Sequence, residues 1–233
     1  MKMNCRRYQM ENVANFRDLG GYACENGVTR YGVIFRSTTW NKASKSDIEK
    51  IEKLGINTVL DLRYPDETKE LPDKLGKNMQ YYNCSLMGST PLEQLEIVNS
   101  SVAETKTLHR MYRLMLSNGK KEIKKAFEIV ADSDGGVLFH CAAGKDRTGI
   151  LAMLILSCAG VENEDILVDY QCSSTYVKEF TTDISGSNIY NMKKTLNWLE
   201  KEYGGAVAYL KTIGVSGETV QKLLDKFVDN SDM

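Results

Sequence analysis

Apolar positions along the chain alternate between short strand-like runs and helical stripes. Strand-type runs occur at Val33-Ile34-Phe35, Thr58 to Leu62, Met79 to Asn83 and Val137 to Phe139. They are rich in β-branched and aromatic residues and lie close to Gly, Pro or Asn punctuation. Between them the spacing turns helical. Ser46-Asp47-Ile48-Glu49 has the form of a capping box opening a helix to about Leu54, and Gly55 stops it. Residues 91–131 read as helix-rich with a break at Asn118-Gly119. The run from Arg147 to Ala159 is apolar on nearly every side, which places that helix at the centre of the fold. Asn163 opens a short helix through Asp169. Tyr176 to Phe180 and Ile189 to Tyr203 read as two more, separated by Ser185-Gly186-Ser187. Val207 to Thr212 and Glu218 to Val228 finish the chain, the last capped by Ser216. Strands alternating with helices predict an α/β fold: a parallel-rich sheet of about four to five strands with helices on both faces, in one domain.

Composition narrows the function classes. The 233 residues are 42% hydrophobic and 26% charged, enough for both a core and a wet surface. Lys+Arg 30 against Asp+Glu 31 leaves a net charge of −1, which argues against nucleic acid as a partner held by bulk charge. The longest apolar run, Ile150 to Cys158, is too short to span a membrane. Asn4, Arg6, Arg7, Gln9 and Glu11 interrupt the first residues, so a cytoplasmic location is expected, although a non-standard export route would leave no mark there. The six cysteines (5, 24, 84, 141, 158 and 172) form no Cys-x-x-Cys pair, and there are only two histidines. Neither a metal, another cofactor nor a disulfide framework is expected.

One stretch carries the chemistry: His140-Cys141-Ala142-Ala143-Gly144-Lys145-Asp146-Arg147-Thr148-Gly149. An arginine follows the cysteine by six positions, and small or charged residues lie between. A strand leads in and an apolar helix leads out. The Cys–Arg spacing alone is weak; the His, Gly and Thr at their places, with strand and helix on either side, make it specific. A helix N-terminus and a guanidinium stabilise a thiolate. Backbone N–H groups of Ala142, Ala143, Gly144 and Lys145 would cradle a phosphate, and Arg147 offers a planar fork to two of its oxygens. Gly144 allows close backbone approach. Thr148 would donate to the sulfur and ease its departure in a second step. The bland alternative is an inert core cysteine, which leaves the Gly, Arg and Thr without a purpose.

This stretch resembles the active-site loop of the cysteine-dependent phosphatases. The Ala-Gly-Lys-Asp-Arg-Thr-Gly version is most similar to the atypical bacterial tyrosine phosphatases, a group that includes secreted mycobacterial virulence phosphatases and a Listeria relative. Asn15 to Tyr22 with Phe35-Arg36-Ser37, Thr58 to Arg63 with Glu67, and Tyr203-Gly204-Gly205 through Gly214-Val215-Ser216 resemble further blocks of that family, so the likeness spans roughly residues 13–227. It implies a dual-specificity-like phosphatase fold and substrates drawn from phosphotyrosine proteins, phosphoserine/threonine and phosphoinositides. It also implies a helical lid over residues 171–203.

The proton donor for the leaving oxygen stays open at this stage. Many cysteine phosphatases supply an Asp from a loop about 30 residues before the Cys, yet no Asp lies between Asp73 and Asp132. Two candidates remain. Asp146 is inside the loop, with a purely structural role as its alternative. Asp61 ends a strand expected beside the one that feeds Cys141, with an ion pair to Arg63 as its alternative. Lys145 adds a point charge suited to extra phosphates, or it faces solvent. Arg17, Asp18, Arg36 and Arg63, which sit in the family-like blocks, are expected to line the pocket mouth, to brace the loop, or to serve a purely structural role. Rival functions are a phosphate-binding module without turnover and a sulfurtransferase. Arg147 with Thr148 favours phosphate over the latter.

Overall fold

The computed structural model describes residues 6–86, 104–177 and 188–231. Five strands make the central sheet: β1 (Arg17–Asp18), β4 (Ile34–Ser37), β5 (Ile56–Asp61), β6 (Gln80–Asn83) and β7 (Gly136–His140). Their order is β1-β4-β7-β5-β6, with β1 antiparallel and the rest parallel. A smaller antiparallel sheet pairs β2 (Ala23–Cys24), β3 (Gly27–Thr29) and β8 (Val228–Asp229), tying the end of the chain to its start. These short strands carry no readable periodicity and were not anticipated.

Helices cover both faces of the central sheet. Successive residues of each strand point to opposite sides. Ile34, Leu60, Val137 and Phe139 enter the larger core, while Phe35, Val59 and Leu138 enter a smaller one with Trp40 and Ile51. Burial on both faces explains why these strands read as continuous apolar runs. Helix α1 (Lys45–Lys53) lies over the smaller core, and α2 (Pro65–Glu70) follows β5. The larger core is built on α5 (Asp146–Cys158), whose residues Ile150 to Leu156 are all buried. Around it lie α3 (Glu104–Asn118), α4 (Lys120–Asp132), α6 (Asn163–Tyr176), α7 (Ile189–Tyr203), α8 (Ala206–Thr212) and α9 (Gly217–Phe227). Each large apolar side chain buried along α5 contributes about 1.5–3 kcal/mol, so the helix that follows the Cys141 loop is also the main anchor of the core. None of the helices described is long and apolar enough to cross a membrane.

Some expected boundaries shift for physical reasons. Helix α1 is capped by Ser44, not Ser46: Ser44 Oγ accepts from Asp47 N at 3.0 Å and Asp47 Oδ2 accepts from Ser44 N at 3.1 Å. Asp47 also accepts the N–H groups of Glu11 and Asn12, which decides between the two serines. Helix α6 does not stop at Asp169; Tyr170 and Ser173 are buried and carry it on to Tyr176. Of the segment expected as a lid, residues 171–176 belong to α6, and α7 buries Asn191, Met192, Thr195 and Leu199 against the body. The expected helical residues 91–103 and the stretch 178–187 lie outside the described residues.

Candidate active site

Strand β7 ends at His140 and α5 begins at Asp146, leaving a short turn that starts at Cys141. His140 is in register with Ser37 of β4 on one side and Asp61 of β5 on the other. Three parallel strands therefore end beside the turn, the usual place for a ligand in an open α/β sheet. Gly144 has φ +64°, and a Cβ there would lie 2.2 Å from the Ser37 carbonyl oxygen, so only glycine fits.

Donors outside the turn grip its carbonyls. Thr39 N donates to Ala142 O at 3.1 Å. Asn15 Nδ2 donates to Gly144 O at 2.8 Å and Ala143 O at 3.4 Å. Arg36 NH2 donates to Gly144 O at 2.9 Å and Lys145 O at 3.4 Å. Pulling the carbonyls outward turns the N–H groups of the same peptides inward, next to the positive end of α5. That is a concavity built for an anion.

Cys141 is 3% exposed. Burial alone would raise its pKa, but the Arg147 charge and hydrogen bonds from the hydroxyl and backbone N–H of Thr148 bring it below the ordinary thiol value; the nearby Asp146 charge opposes them. Thr148 Oγ1 is buried with no formed hydrogen bond of its own, so its hydroxyl is free to turn to the neighbouring sulfur. Arg147 is held by Glu67 in a two-pronged ion pair, NH1 to Oε2 at 2.5 Å and NH2 to Oε1 at 3.1 Å. Burial opposes the Glu67 charge, yet Arg147 holds its pKa below the usual carboxylate value.

The matched family model, described as the tyrosine phosphatase family, covers residues 8–229. The chain belongs to this family. Among curated relatives, a tyrosine-protein phosphatase from Nostoc commune is 31% identical over 226 residues, covering 86% of this chain and 76% of the relative. The triple specificity protein phosphatase PtpB of Mycobacterium tuberculosis is 23% identical over 92% of this chain and 96% of its own length. Likeness to solved structures is faint: the core catalytic domain of the PP-IP phosphatase SIW14 from S. cerevisiae is 17% identical over 80% of this chain and 93% of that one, with a TM-score of 0.40.

The two candidate acids of the phosphatase stand in different surroundings. Asp146, at the first turn of α5, keeps its side chain 22% exposed and lies 3.8 Å from Lys145 Nζ. Its Oδ1 accepts a hydrogen bond from Tyr112 at 2.5 Å. Asp61 is fully buried, and its carboxylate is saturated. It accepts from Arg63 N and Nε, each at 3.0 Å, from Arg63 NH2 at 2.6 Å and from Tyr81 Oη at 2.8 Å. The pairing with Arg63, one of the two alternatives for Asp61, is what forms, and it engages both carboxylate oxygens. Lys145 does not project freely into solvent; its side chain is 14% exposed.

Three bracing residues gave no sequence signal. Asp73 accepts from Trp40 N at 2.7 Å, Thr39 Oγ1 at 3.0 Å and Arg63 NH2 at 2.9 Å, and lies 3.1 Å from His140 Nε2. Against the cost of burial, His140 and Arg63 hold Asp73 well below the usual carboxylate range. Burial would lower the His140 pKa, but Asp73 raises it. The ring stacks on Trp40, with centroids 6.0 Å apart. Asp61, Asp73 and His140 bring three possible metal-ligand atoms within 4.8 Å, but the Arg63 guanidinium already bonds both carboxylates. Asp169 of α6 receives Arg17 at 2.8 Å and Arg36 at 2.5 Å, all three buried. Tyr112 is the third. Arg36 thus bonds the loop directly, Arg17 reaches it through Asn15, and Arg63 ties Asp61 to Asp73. Asp18 instead holds Gly20 N at 2.8 Å and Gly32 N at 2.7 Å, away from the loop.

Proposed function

We propose that this phosphatase hydrolyses phosphate monoesters through a phosphocysteine intermediate, with Cys141 as nucleophile and Asp146 as proton donor. The observation that carries the reading is a buried Cys141 at the start of a loop whose carbonyls are held outward by Asn15 and Arg36 at the N-terminus of α5, where the Arg147 charge favours its thiolate against the cost of burial. The Cys141 thiolate attacks phosphorus in line. The S–P bond forms as the P–O bond to the leaving group breaks, and Asp146 gives its proton to the departing oxygen. Arg147 and the loop N–H groups hold the equatorial oxygens in the transition state. A water, deprotonated by the Asp146 carboxylate, then attacks the phosphocysteine. Thr148 donates to the sulfur as it leaves, and inorganic phosphate departs. General acid–base help of this kind is worth about 10²–10⁴ in rate.

Phosphotyrosine proteins are the first substrate class. The name of the Nostoc relative, a tyrosine-protein phosphatase, supports it. Phosphoserine/threonine and phosphoinositides follow, supported by the triple specificity named for the mycobacterial relative and by Lys145 in the loop. Phosphate release should be measured from a phosphotyrosine peptide and a soluble phosphoinositide, with EDTA present, for wild type and Cys141→Ser. Turnover lost in the variant is the expected result. Equal turnover in the variant removes Cys141 from the mechanism. Tight phosphate binding without turnover by the wild type would make the chain a binding module.

A further inference from the structure

Asp146 ends a chain of two tyrosine hydroxyls from different helices, Tyr170 to Tyr112 to Asp146. Tyr112 Oη of α3 lies 2.5 Å from Asp146 Oδ1 and 2.6 Å from Tyr170 Oη of α6. The rings meet edge to face at 85°, with centroids 6.2 Å apart. Tyr112 is fully buried and Tyr170 is 1% exposed. Gly149, one turn after Asp146, gives Tyr170 its seat: a Cβ there would sit 3.0 Å from Tyr170 Cδ2. Burial first, and the Asp146 charge second, push ionisation of both hydroxyls far above the ordinary tyrosine value. Both hydroxyls therefore keep their protons at any working pH. Tyr112 spends its proton on Asp146, which leaves Tyr170 to donate to Tyr112.

We propose that Tyr112, backed by Tyr170, is a positioning residue that reserves Asp146 Oδ2 for the catalytic proton. The inference rests on Asp146 being the acid and adds how that acid is aimed. With Oδ1 occupied by the tyrosine, the transferable proton resides on Oδ2. That is the oxygen 3.8 Å from Lys145 Nζ. Three charged groups face this carboxyl: Lys145, Arg147 and the Cys141 thiolate. A carboxyl free to rotate would exchange its two oxygens among these charges and the leaving oxygen, so the protonated one would be in place only part of the time, and small misplacements cost rate heavily.

The test compares kcat/KM for phenyl phosphate, a poor leaving group, with that for 4-nitrophenyl phosphate, a good one. The full chain is used as wild type, Tyr112→Phe, Tyr170→Phe, Asp146→Asn and the Tyr112→Phe/Asp146→Asn double variant. Asp146→Asn should cost about 100-fold on phenyl phosphate and far less on 4-nitrophenyl phosphate. Tyr112→Phe should cost about tenfold on the first and under about threefold on the second, with KM little changed. In the Asp146→Asn background it should cost nothing more. Tyr170→Phe should show the same pattern more weakly, and it carries the test if Tyr112→Phe unfolds. A Tyr112→Phe loss that is equal on both substrates, or that persists without Asp146, would make Tyr112 a scaffold residue only. An Asp146→Asn loss that ignores the leaving group would overturn the acid assignment itself, and the single variant shows this by itself.

Discussion

Glu67 holds Arg147 end-on, one carboxylate oxygen on each terminal nitrogen. A guanidinium has five N–H groups, and this contact uses two. The Nε edge and the remaining terminal N–H groups stay available for phosphate, so the ion pair orients Arg147 without blocking it. Glu67 is itself fixed by Tyr64 N, which donates to Oε2 at 2.9 Å at the start of α2.

Glu67→Ala should therefore lower kcat/KM by about 10–100-fold while costing only about 1 kcal/mol of stability, because the partly buried pair sits at the rim of the site where water can replace the carboxylate. Steady-state kinetics with thermal unfolding on the same samples would check this. Unchanged kcat/KM would mean that the loop alone orients Arg147.

Asp169 is the anion between two buried cations, Arg17 and Arg36. Burial opposes its charge, but the two arginines pull its pKa down to about 2. A folded pKa below the unfolded value near 3.9 gives stability that is fully present above about pH 4 and is lost as pH falls toward 2. Asp169→Asn leaves both guanidinium groups buried without a counter-charge and should cost about 3–5 kcal/mol. Urea unfolding at pH 7 reads this directly. A cost under about 1 kcal/mol would show that the loop does not depend on this bridge.

The catalytic loop was legible because its chemistry is packed into ten consecutive residues whose types have few other uses together. Gly144 is legible for the same reason: its positive φ and its approach to Ser37 leave no room for another residue. Helix α5 could be read from unbroken apolarity, and β5 and β7 from runs buried on both faces. The bracing network was not legible. Asp73 and Asp169 stand far in sequence from the arginines they bind, and no local pattern marks which acid a buried arginine will meet. Arg63 and Asp61 were seen as a possible pair, since they are neighbours. Asp73 joins them only because α2 returns the chain past Trp40. Tyr112 sits on a helix read correctly as a helix, yet its hydroxyl meets Asp146 only after α3 packs on α5.

Lys145 lies in the loop, its ammonium 3.8 Å from Asp146 Oδ2. A compact cation there favours ligands that carry phosphate groups beyond the one being cleaved. Lys145→Met should lower kcat/KM about tenfold on a soluble phosphoinositide and under about threefold on a phosphotyrosine peptide. Equal losses on both substrates would assign Lys145 to loop geometry instead of substrate choice.

The Cys141 thiolate can be titrated by its own reactivity. Burial raises the pKa of a thiol, and it does so at Cys84, pushed up to about 12, and Cys158, pushed up to about 11. Cys141 is buried too, yet its pKa moves down, because Arg147 and Thr148 outweigh the cost of burial. Its alkylation by iodoacetamide, followed on the Cys141 peptide by mass spectrometry, should have a midpoint below the ordinary thiol value of about 8.5. The acidic limb of kcat/KM should rise with the same midpoint. Arg147→Ala removes the largest stabilising charge and should move the alkylation midpoint upward. It should also cut turnover by at least about 10³, since the fork that holds the transition-state oxygens goes with it. A midpoint unmoved by Arg147→Ala would mean that the loop amides and Thr148 hold the thiolate without help from the arginine, leaving Arg147 to act on the substrate alone.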